Sequence, residues 1–429
     1  MSSFGRRMSG CGPRLAAIAL VGLAARLAYG LLADAPHGIG DDVWYHAVAN
    51  GIADGRGYSD PFSSVGEGGR MLFGDAGAPL PTAFHPPLFP ALLALASLLG
   101  ATSYDAHQAI GCALGAGTVA VTGLAARRLG GQRLGMVAAA IAAIYPPLVA
   151  NDSLLMSESL YGLTVGLAVL AALAYSEAPG VKPAAALGLA LGAASLTRAE
   201  ALLFLPLLAA PLMLRGGRRW AHLGVTCIVV ALCVAPWAVR NSVTFDEPVL
   251  VTTVEGSVVG GANLKSTYYG NMLGAWDFKG LYASPAARDP TRDEAVQSRR
   301  WHDEAVRYAR DHASRLPLIA ALRLMRTWSL YPLDPRDKVD FAVAHYNHIR
   351  ALEWLSLLMF LAVVCLALAG WPVLRRGGAA LVPLAAPLVV VGIVSVLAYG
   401  DLRFRQAAEV PLVILAAAGI QRLRPAAGA

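Results

Sequence analysis

The sequence predicts an all-α polytopic membrane protein: a bundle of about ten transmembrane helices with juxtamembrane helices and a small hydrophilic insertion on one side. Three observations carry that expectation. Of the 429 residues, 56% are hydrophobic and only 15% are charged, whereas soluble domains carry about 25% charged residues. Apolar windows close to the crossing length, roughly 17 to 25 residues, recur along the chain. The short connections that would share a side with the N-terminus are all basic, which is the asymmetry that orients membrane helices.

Taken in order, the candidate spans are 14–33, 107–126, 133–150, 155–175, 184–197, 200–214, 220–237, 350–371, 379–399 and 407–421. Residues 1–33 read as a retained span and not as a cleaved signal peptide, because the apolar stretch is long and contains Arg26. With a cytoplasmic N-terminus, the inside positions collect Arg6, Arg7 and Arg14, then Arg127, Arg128 and Arg133, and then Lys182. They continue with Arg215, Arg218, Arg219, Arg375, Arg376, Arg422 and Arg424. Topology thus explains most of the +7 net charge, and no nucleic-acid partner is needed.

This orientation divides the chain into an N-terminal transmembrane module, 1–239, which includes a first extracytoplasmic loop at 34–104. An extracytoplasmic segment, 240–349, and C-terminal transmembrane helices, 350–429, complete it. In the first loop, the apolar run after Pro87 in "HPPLFPALLALASLLG" is read as an interfacial helix. If it crossed, the Arg127/Arg128 loop would fall outside. In 240–349, Thr291-x-x-Glu294 has the pattern of a capping box opening a charged helix. "LPLIAALRLMRTWSLYP", interrupted by Arg323 and Arg326, suits a second interfacial helix. Cys11, Cys112, Cys227, Cys233 and Cys365 show no metal-ligand spacing and imply no disulfide framework. His345-x-x-His348 lacks a third ligand nearby and reads as surface histidines.

Unusual polar residues gather on the extracytoplasmic side. Asp41, Asp42 and His46 follow the first span, and His85 opens the interfacial helix. Asn151, Asp152 and Glu158 lie between the third and fourth spans, Arg198 and Glu200 between the fifth and sixth. Arg240 and Asn241 follow the seventh, and Arg403 and Arg405 stand between the last two. Ionisable groups at the hydrocarbon boundary mark function by default, although single arginines are also explained by snorkelling. A carboxylate can take a proton from a hydroxyl nucleophile, and guanidinium groups fit a phosphate. A substrate with a phosphate at the membrane surface and an apolar tail, such as a polyprenyl-phosphate sugar, would meet both. On the residues alone Asp41 serves equally as a helix cap or as a base. Asp42 and His46, four apart, share a helix face and with Glu158 could hold a divalent ion such as Mg or Mn. "GGANLKSTYYGNMLGAWDF", Gly260 to Phe278, has the composition of a sugar-contacting loop and equally that of an ordinary one.

"GDDVWYHAVANGIADGRGY" resembles the first-loop signature of GT-C glycosyltransferases, in particular the protein-mannosyltransferase and aminoarabinose-transferase-like group. "HPPLFPALLAL", "LLMSESLYGL", "ASLTRAEALLFLPLL", "APWAVRNSVTFDEPV" and "YGDLRFRQAAEVPLVILAAAG" resemble later family segments in the family's order. Asp42 stands where Glu is more usual, and the outside segment is short. The resemblance implies an inverting transferase of the plasma (inner) membrane with its active site outside. Its donor would be a polyprenyl-phosphate-linked sugar and its acceptor a hydroxyl on protein, glycolipid or polysaccharide. It gives Asp41 the base position and Asp42 the second acidic position. His85, Arg240, Arg403 and Arg405 are then expected at the donor phosphate, supported by Glu158, His46 and Arg198. Two other classes compete: a transporter or flippase of lipid-linked sugars, which should show paired hydropathy repeats that the two halves lack, and a non-catalytic scaffold that only binds the lipid.

Overall fold

The computed structural model describes residues 12–32, 40–62, 80–215, 219–288, 291, 293–332 and 350–423. Cys11, His345, His348, and the arginines at 6, 7, 218 and 424 lie outside the described residues. Among the described residues the chain is helical, and its only β-type pairing is one isolated bridge between Ser59 and Pro81.

Apolar helices follow the expected spans closely. Gly12–Leu32, Tyr104–Ile144, Glu158–Glu177, Trp220–Thr244 and Glu353–Arg376 are long and apolar enough to cross a membrane. The 41-residue Tyr104–Ile144 is two helices joined at Gly130 and Gly131. Gly131 has φ 78°, a left-handed conformation that glycine adopts without a Cβ clash. Past that point the chain doubles back, so that a Cβ on Gly123 would sit 3.0 Å from the Cβ of Ala139. The hairpin puts Arg127 and Arg128 at its tip, as a basic short connection requires.

Two spans are broken where one continuous helix is expected, and the one expected at 220–237 runs on to Thr244. The one expected at 133–150 stops at Ile144, and a separate short helix, Pro146–Ser153, follows. Tyr145 is extended because a residue before proline is pushed out of the α region. The one expected at 200–214 is a 3₁₀ turn at Ala199–Leu203, a π turn at Leu205–Ala209 and an α turn at Ala210–Leu214. Pro206 and Pro211 withhold two N–H donors there and prevent a regular ladder.

Gln406–Leu423 forms the centre of the bundle. It is apolar on nearly every face, and every residue from Ala407 through Ala418 is buried, Glu409 and Pro411 included. Arg350–Arg376 packs against it through Gly370 and Gly419, where a Cβ would come within 1.9 Å of Leu415 O and 2.1 Å of Leu366 O. Small residues at such a crossing let two backbones approach closely.

A helix forms after Pro87, at Leu88–Leu98. Eleven residues rise about 16 Å, half the hydrocarbon thickness, so length excludes a crossing. After Thr244 the chain forms Val254–Ala262, Phe278–Ala283, Glu294–Asp311 and Leu316–Thr327. The capping box is corrected: the helix begins at Glu294, and the cap is Asp293, whose carboxylate accepts from Ala295 N–H at 2.8 Å and Val296 N–H at 3.1 Å. Glu294 is thereby at the first helical position, where its side chain points inward instead of back to a cap.

Arg26 faces the bundle and does not snorkel. It is fully buried, its Nε donates to Asp152 Oδ2 at 2.9 Å, and its Nη1 donates to Gly22 O at 3.0 Å. Arg26→Met should cost about 3 to 5 kcal/mol, because Asp152 is left buried and uncompensated, while adding Asp152→Leu should restore most of the loss. Thermal denaturation of the single and double variants measures both effects.

Candidate active site

Asp41 and Asp42 open the helix Asp41–Ala53, which starts at Gly40 in an extended conformation. Asp41 is therefore a helical residue and not the cap, and Gly40 makes no side-chain cap bond. Two carboxylates in a first turn also suit the positive end of the helix dipole. Successive residues of a helix point about 100° apart, so the two carboxylates separate. Asp41 keeps 28% of its side-chain exposure, while Asp42 is buried and accepts from the Tyr104 hydroxyl at 2.9 Å.

Arg403 reaches Asp41 from the far end of the chain. It lies in the turn Leu402–Arg405 between two apolar helices, a turn opened by Asp401, whose Oδ1 accepts from Arg403 N–H at 2.7 Å. Its guanidinium bridges two acids: Nη2 donates to Asp41 Oδ2 at 3.0 Å and Nε donates to Glu158 Oε1 at 2.6 Å. Glu158, at the start of Glu158–Glu177, also accepts from Arg198 Nη1 at 2.9 Å, and Arg198 Nε donates to Glu200 at 2.6 Å. Five charged groups from four parts of the chain thus form one connected network at one end of the bundle. Arg128 and Glu177 pair at the other end.

His85 completes the surroundings of Asp41. Its Nε2 is 3.5 Å from Asp41 Oδ1, longer than a firm hydrogen bond, so the contact is mainly electrostatic, with the ring edge turned to the carboxylate. Trp44 and Tyr45 hold the imidazole between rings, each 4.8 Å away by centroid. Burial works to raise the Asp41 pKa, but Arg403 and His85 override it and hold the carboxyl well below the ordinary carboxylate range. Asp41 is ionised at any working pH.

The loop that carries His85 has no regular structure, and its backbone is satisfied by side chains from elsewhere. Arg240 Nη1 donates to Thr82 O at 2.7 Å and Nη2 to Tyr58 O at 3.0 Å. The Tyr58 hydroxyl donates to His85 O at 2.9 Å. Glu294, fully enclosed, accepts from Ala83 N–H, from the Thr82 hydroxyl at 2.8 Å and from the Thr253 hydroxyl at 2.7 Å. Burial pushes its carboxyl up to about 7, against the lowering effect of those three donors. Sequence reading missed Glu294 because its only signal, position in a capping pattern, pointed to a surface role.

Of the residues expected at a donor phosphate, Arg403 and His85 stand beside Asp41, and two do not. Arg405 is buried, with Nε bonded to Glu409 at 2.7 Å, Nη1 to Ser329 at 3.0 Å and the guanidinium over the Phe360 ring at 3.7 Å. Arg240 is committed to the loop carbonyls and to the Trp237 ring, 4.9 Å away. Both were expected at the phosphate from the family resemblance and from their place beside the other polar residues, and i, i+2 spacing in a 3₁₀ turn sends Arg405 away from Arg403 into the core.

The three residues expected to hold a divalent ion lie apart in this structure. Asp42, His46 and Glu158 do not meet: Asp42 takes the Tyr104 hydroxyl, His46 bonds His107 across 3.1 Å, and Glu158 is paired with two guanidiniums. No group of three His, Cys, Asp or Glu among the described residues could hold a metal ion. The positive charge between Asp41 and Glu158 is that of Arg403, and a cation placed there would meet it at close range. In the Gly260–Phe278 stretch, Asn263 accepts from the Tyr268 hydroxyl and from Arg323, and Trp276 donates to Ser257 O. Those polar groups are spent on folding.

No protein-family description matches the sequence, and no curated protein matches it significantly. Solved structures do match. The archaeal oligosaccharyltransferase AglB from Archaeoglobus fulgidus, in complex with an inhibitory peptide and a dolichol-phosphate, superposes with a TM-score of 0.54 at 16% identity, over 97% of this chain and 50% of that one. The Archaeoglobus fulgidus oligosaccharyltransferase in complex with Zn and sulfate gives 0.55 at 16% identity, over 96% and 49%. ArnT from Cupriavidus metallidurans bound to undecaprenyl phosphate gives 0.45 at 13% identity, over 97% and 78%. The chain spans about half the length of the archaeal structures it matches. It has the GT-C fold, a polytopic membrane fold built entirely of helices among the described residues.

Proposed function

We propose that the chain is an inverting glycosyltransferase that moves a sugar from a polyprenyl-phosphate donor to a hydroxyl acceptor, on the extracytoplasmic face of the plasma (inner) membrane. The observation that carries this reading is Arg403 bridging Asp41 and Glu158 at one end of the bundle, with Asp41 still partly open. The acceptor hydroxyl approaches Asp41, gives it the proton, and its oxygen bonds to the anomeric carbon. The bond from that carbon to the phosphate oxygen breaks, and its electron pair leaves with the polyprenyl phosphate. Arg403 and His85 face the place where that charge grows. The dolichol-phosphate in the archaeal structure of the same fold supports a lipid-phosphate donor, and the short basic connections at the opposite end support the orientation.

The geometry also bears on timing. A carboxylate held far below its usual pKa is a feeble base. When a phosphate competes for Arg403, the guanidinium's hold on Asp41 loosens and the carboxylate becomes more basic. Donor binding then prepares the base, and without donor the base stays masked.

Purified protein in proteoliposomes, supplied with lipid-linked sugars extracted from its native membrane, tests the reading. Mass spectrometry should detect free polyprenyl phosphate accumulating in step with a glycosylated hydroxyl product. Movement of intact lipid-linked sugar across the bilayer with no phosphate released would overturn it in favour of a flippase, and binding without either outcome would favour a scaffold.

A further inference from the structure

We propose that Glu294 is a positioning residue for the transfer reaction, acting through His85: it fixes the Thr82–His85 loop so that the imidazole edge faces Asp41. This rests on the glycosyltransferase reading and names a residue that the reading does not itself require. Four observations lead there. Glu294 is 4% exposed and lies on Glu294–Asp311, a helix that contributes no group to the charged network around Asp41. All three of its donors belong to the path to His85: the Thr82 hydroxyl, Ala83 N–H, and the hydroxyl of Thr253, whose own N–H donates to Ala83 O at 3.0 Å. Beyond Ala83 only one residue, Phe84, separates this clamp from His85. Finally, His85 Nε2 stands 3.5 Å from Asp41 Oδ1, longer than a firm hydrogen bond, so the ring's position depends chiefly on its backbone and on the rings around it.

A buried irregular segment has no ladder to satisfy its polar groups, so each must find a partner from another element. Glu294 supplies the one for Ala83 N–H and joins Thr82 to Thr253 through a single carboxyl. Removing it leaves two hydroxyls and one amide with unmet bonds within a few residues of the imidazole. The loop then shifts, and with it the ring edge. The hydrophilic segment that follows Thr244 is in this way connected to the chemistry without touching it.

The test is a double-mutant cycle between Glu294→Ala and His85→Gln, with steady-state kinetics on the lipid-linked donor and hydrogen exchange followed at the peptide containing Ala83. Glu294→Ala should lower kcat on the order of 10- to 100-fold, the range expected for a small misplacement of a site group, with a much smaller change in the donor KM. Exchange at Ala83 should accelerate, and Glu294→Gln, whose amide can still accept from Ala83, should recover most of kcat. In the His85→Gln background, Glu294→Ala should add little further loss, since residues acting as a unit are non-additive. Should Glu294→Ala not fold, Thr253→Val removes one donor only and should give a smaller kcat loss with the same non-additivity. Multiplicative losses in the cycle, or unchanged kcat in a folded variant, would overturn the inference and leave the transferase reading intact. A wild-type protein inactive on every lipid-linked donor would overturn both.

Discussion

Asp41→Asn should abolish transfer while leaving a folded, membrane-inserted protein. Asparagine keeps nearly the same volume, and its side-chain oxygen can still accept from Arg403. The contact becomes neutral, but Arg403 retains Glu158 at 2.6 Å, so its guanidinium is not left alone. Stability should therefore change by about 1 kcal/mol, the net worth of one hydrogen bond. Turnover should fall by about 100-fold to 10,000-fold, since the amide cannot take the acceptor's proton. The pH profile offers a second check. Arg403 and His85 depress the folded pKa of Asp41, so its ionised form, and the stability it contributes, is fully present above the unfolded carboxylate value and lost only as pH falls through the lower folded one. Between pH 5 and 8, about the usual working range, no limb of the wild-type rate profile should belong to Asp41. Near-wild-type turnover by well-folded Asp41→Asn would remove it from the base role and move the search to Glu158 or Asp42.

Arg403→Gln should damage both fold and rate, in separable ways. Glu158 and Asp41 lose their shared cation; Glu158 keeps Arg198, but Asp41 keeps only His85. Removing one partner of a buried ion pair costs about 3 to 5 kcal/mol, and the remaining Arg198 contact places this variant toward the lower end. If Arg403 also meets the phosphate as the sugar departs, kcat should fall by about 100-fold to 1,000-fold, the usual effect of removing one preorganised donor from a site of developing negative charge. Arg403→Lys should recover only part of the loss, because a single ammonium cannot span two carboxylates as a planar guanidinium does. Arg405→Gln is the informative contrast: it strands Glu409 in the core and should lower the melting temperature without changing the donor KM of the protein that remains folded. Donor kinetics that respond equally to Arg403→Gln and Arg405→Gln would mean that the phosphate is bound elsewhere.

Much of this molecule is written in local sequence. Hydropathy windows and basic connections determine ten apolar helical segments, the half-length helix Leu88–Leu98 and the convergence of Asp41, His85, Glu158, Arg198 and Arg403 at one end, because length, composition and parity are local properties. What a charged residue does once it arrives there is not local. Arg26 and Arg405 look alike in sequence to Arg403, yet Asp152 and Glu409 neutralise the first two inside the bundle, while Arg403 alone reaches across 362 positions to Asp41. The commitment of Asp42, His46 and Glu158 to different partners, and the inward turn of Glu294 from an expected capping role, have the same origin. A buried polar group must find a partner, the choice of partner is made among residues far apart in the chain, and the difference between a bond made and a bond missed is larger than any local preference.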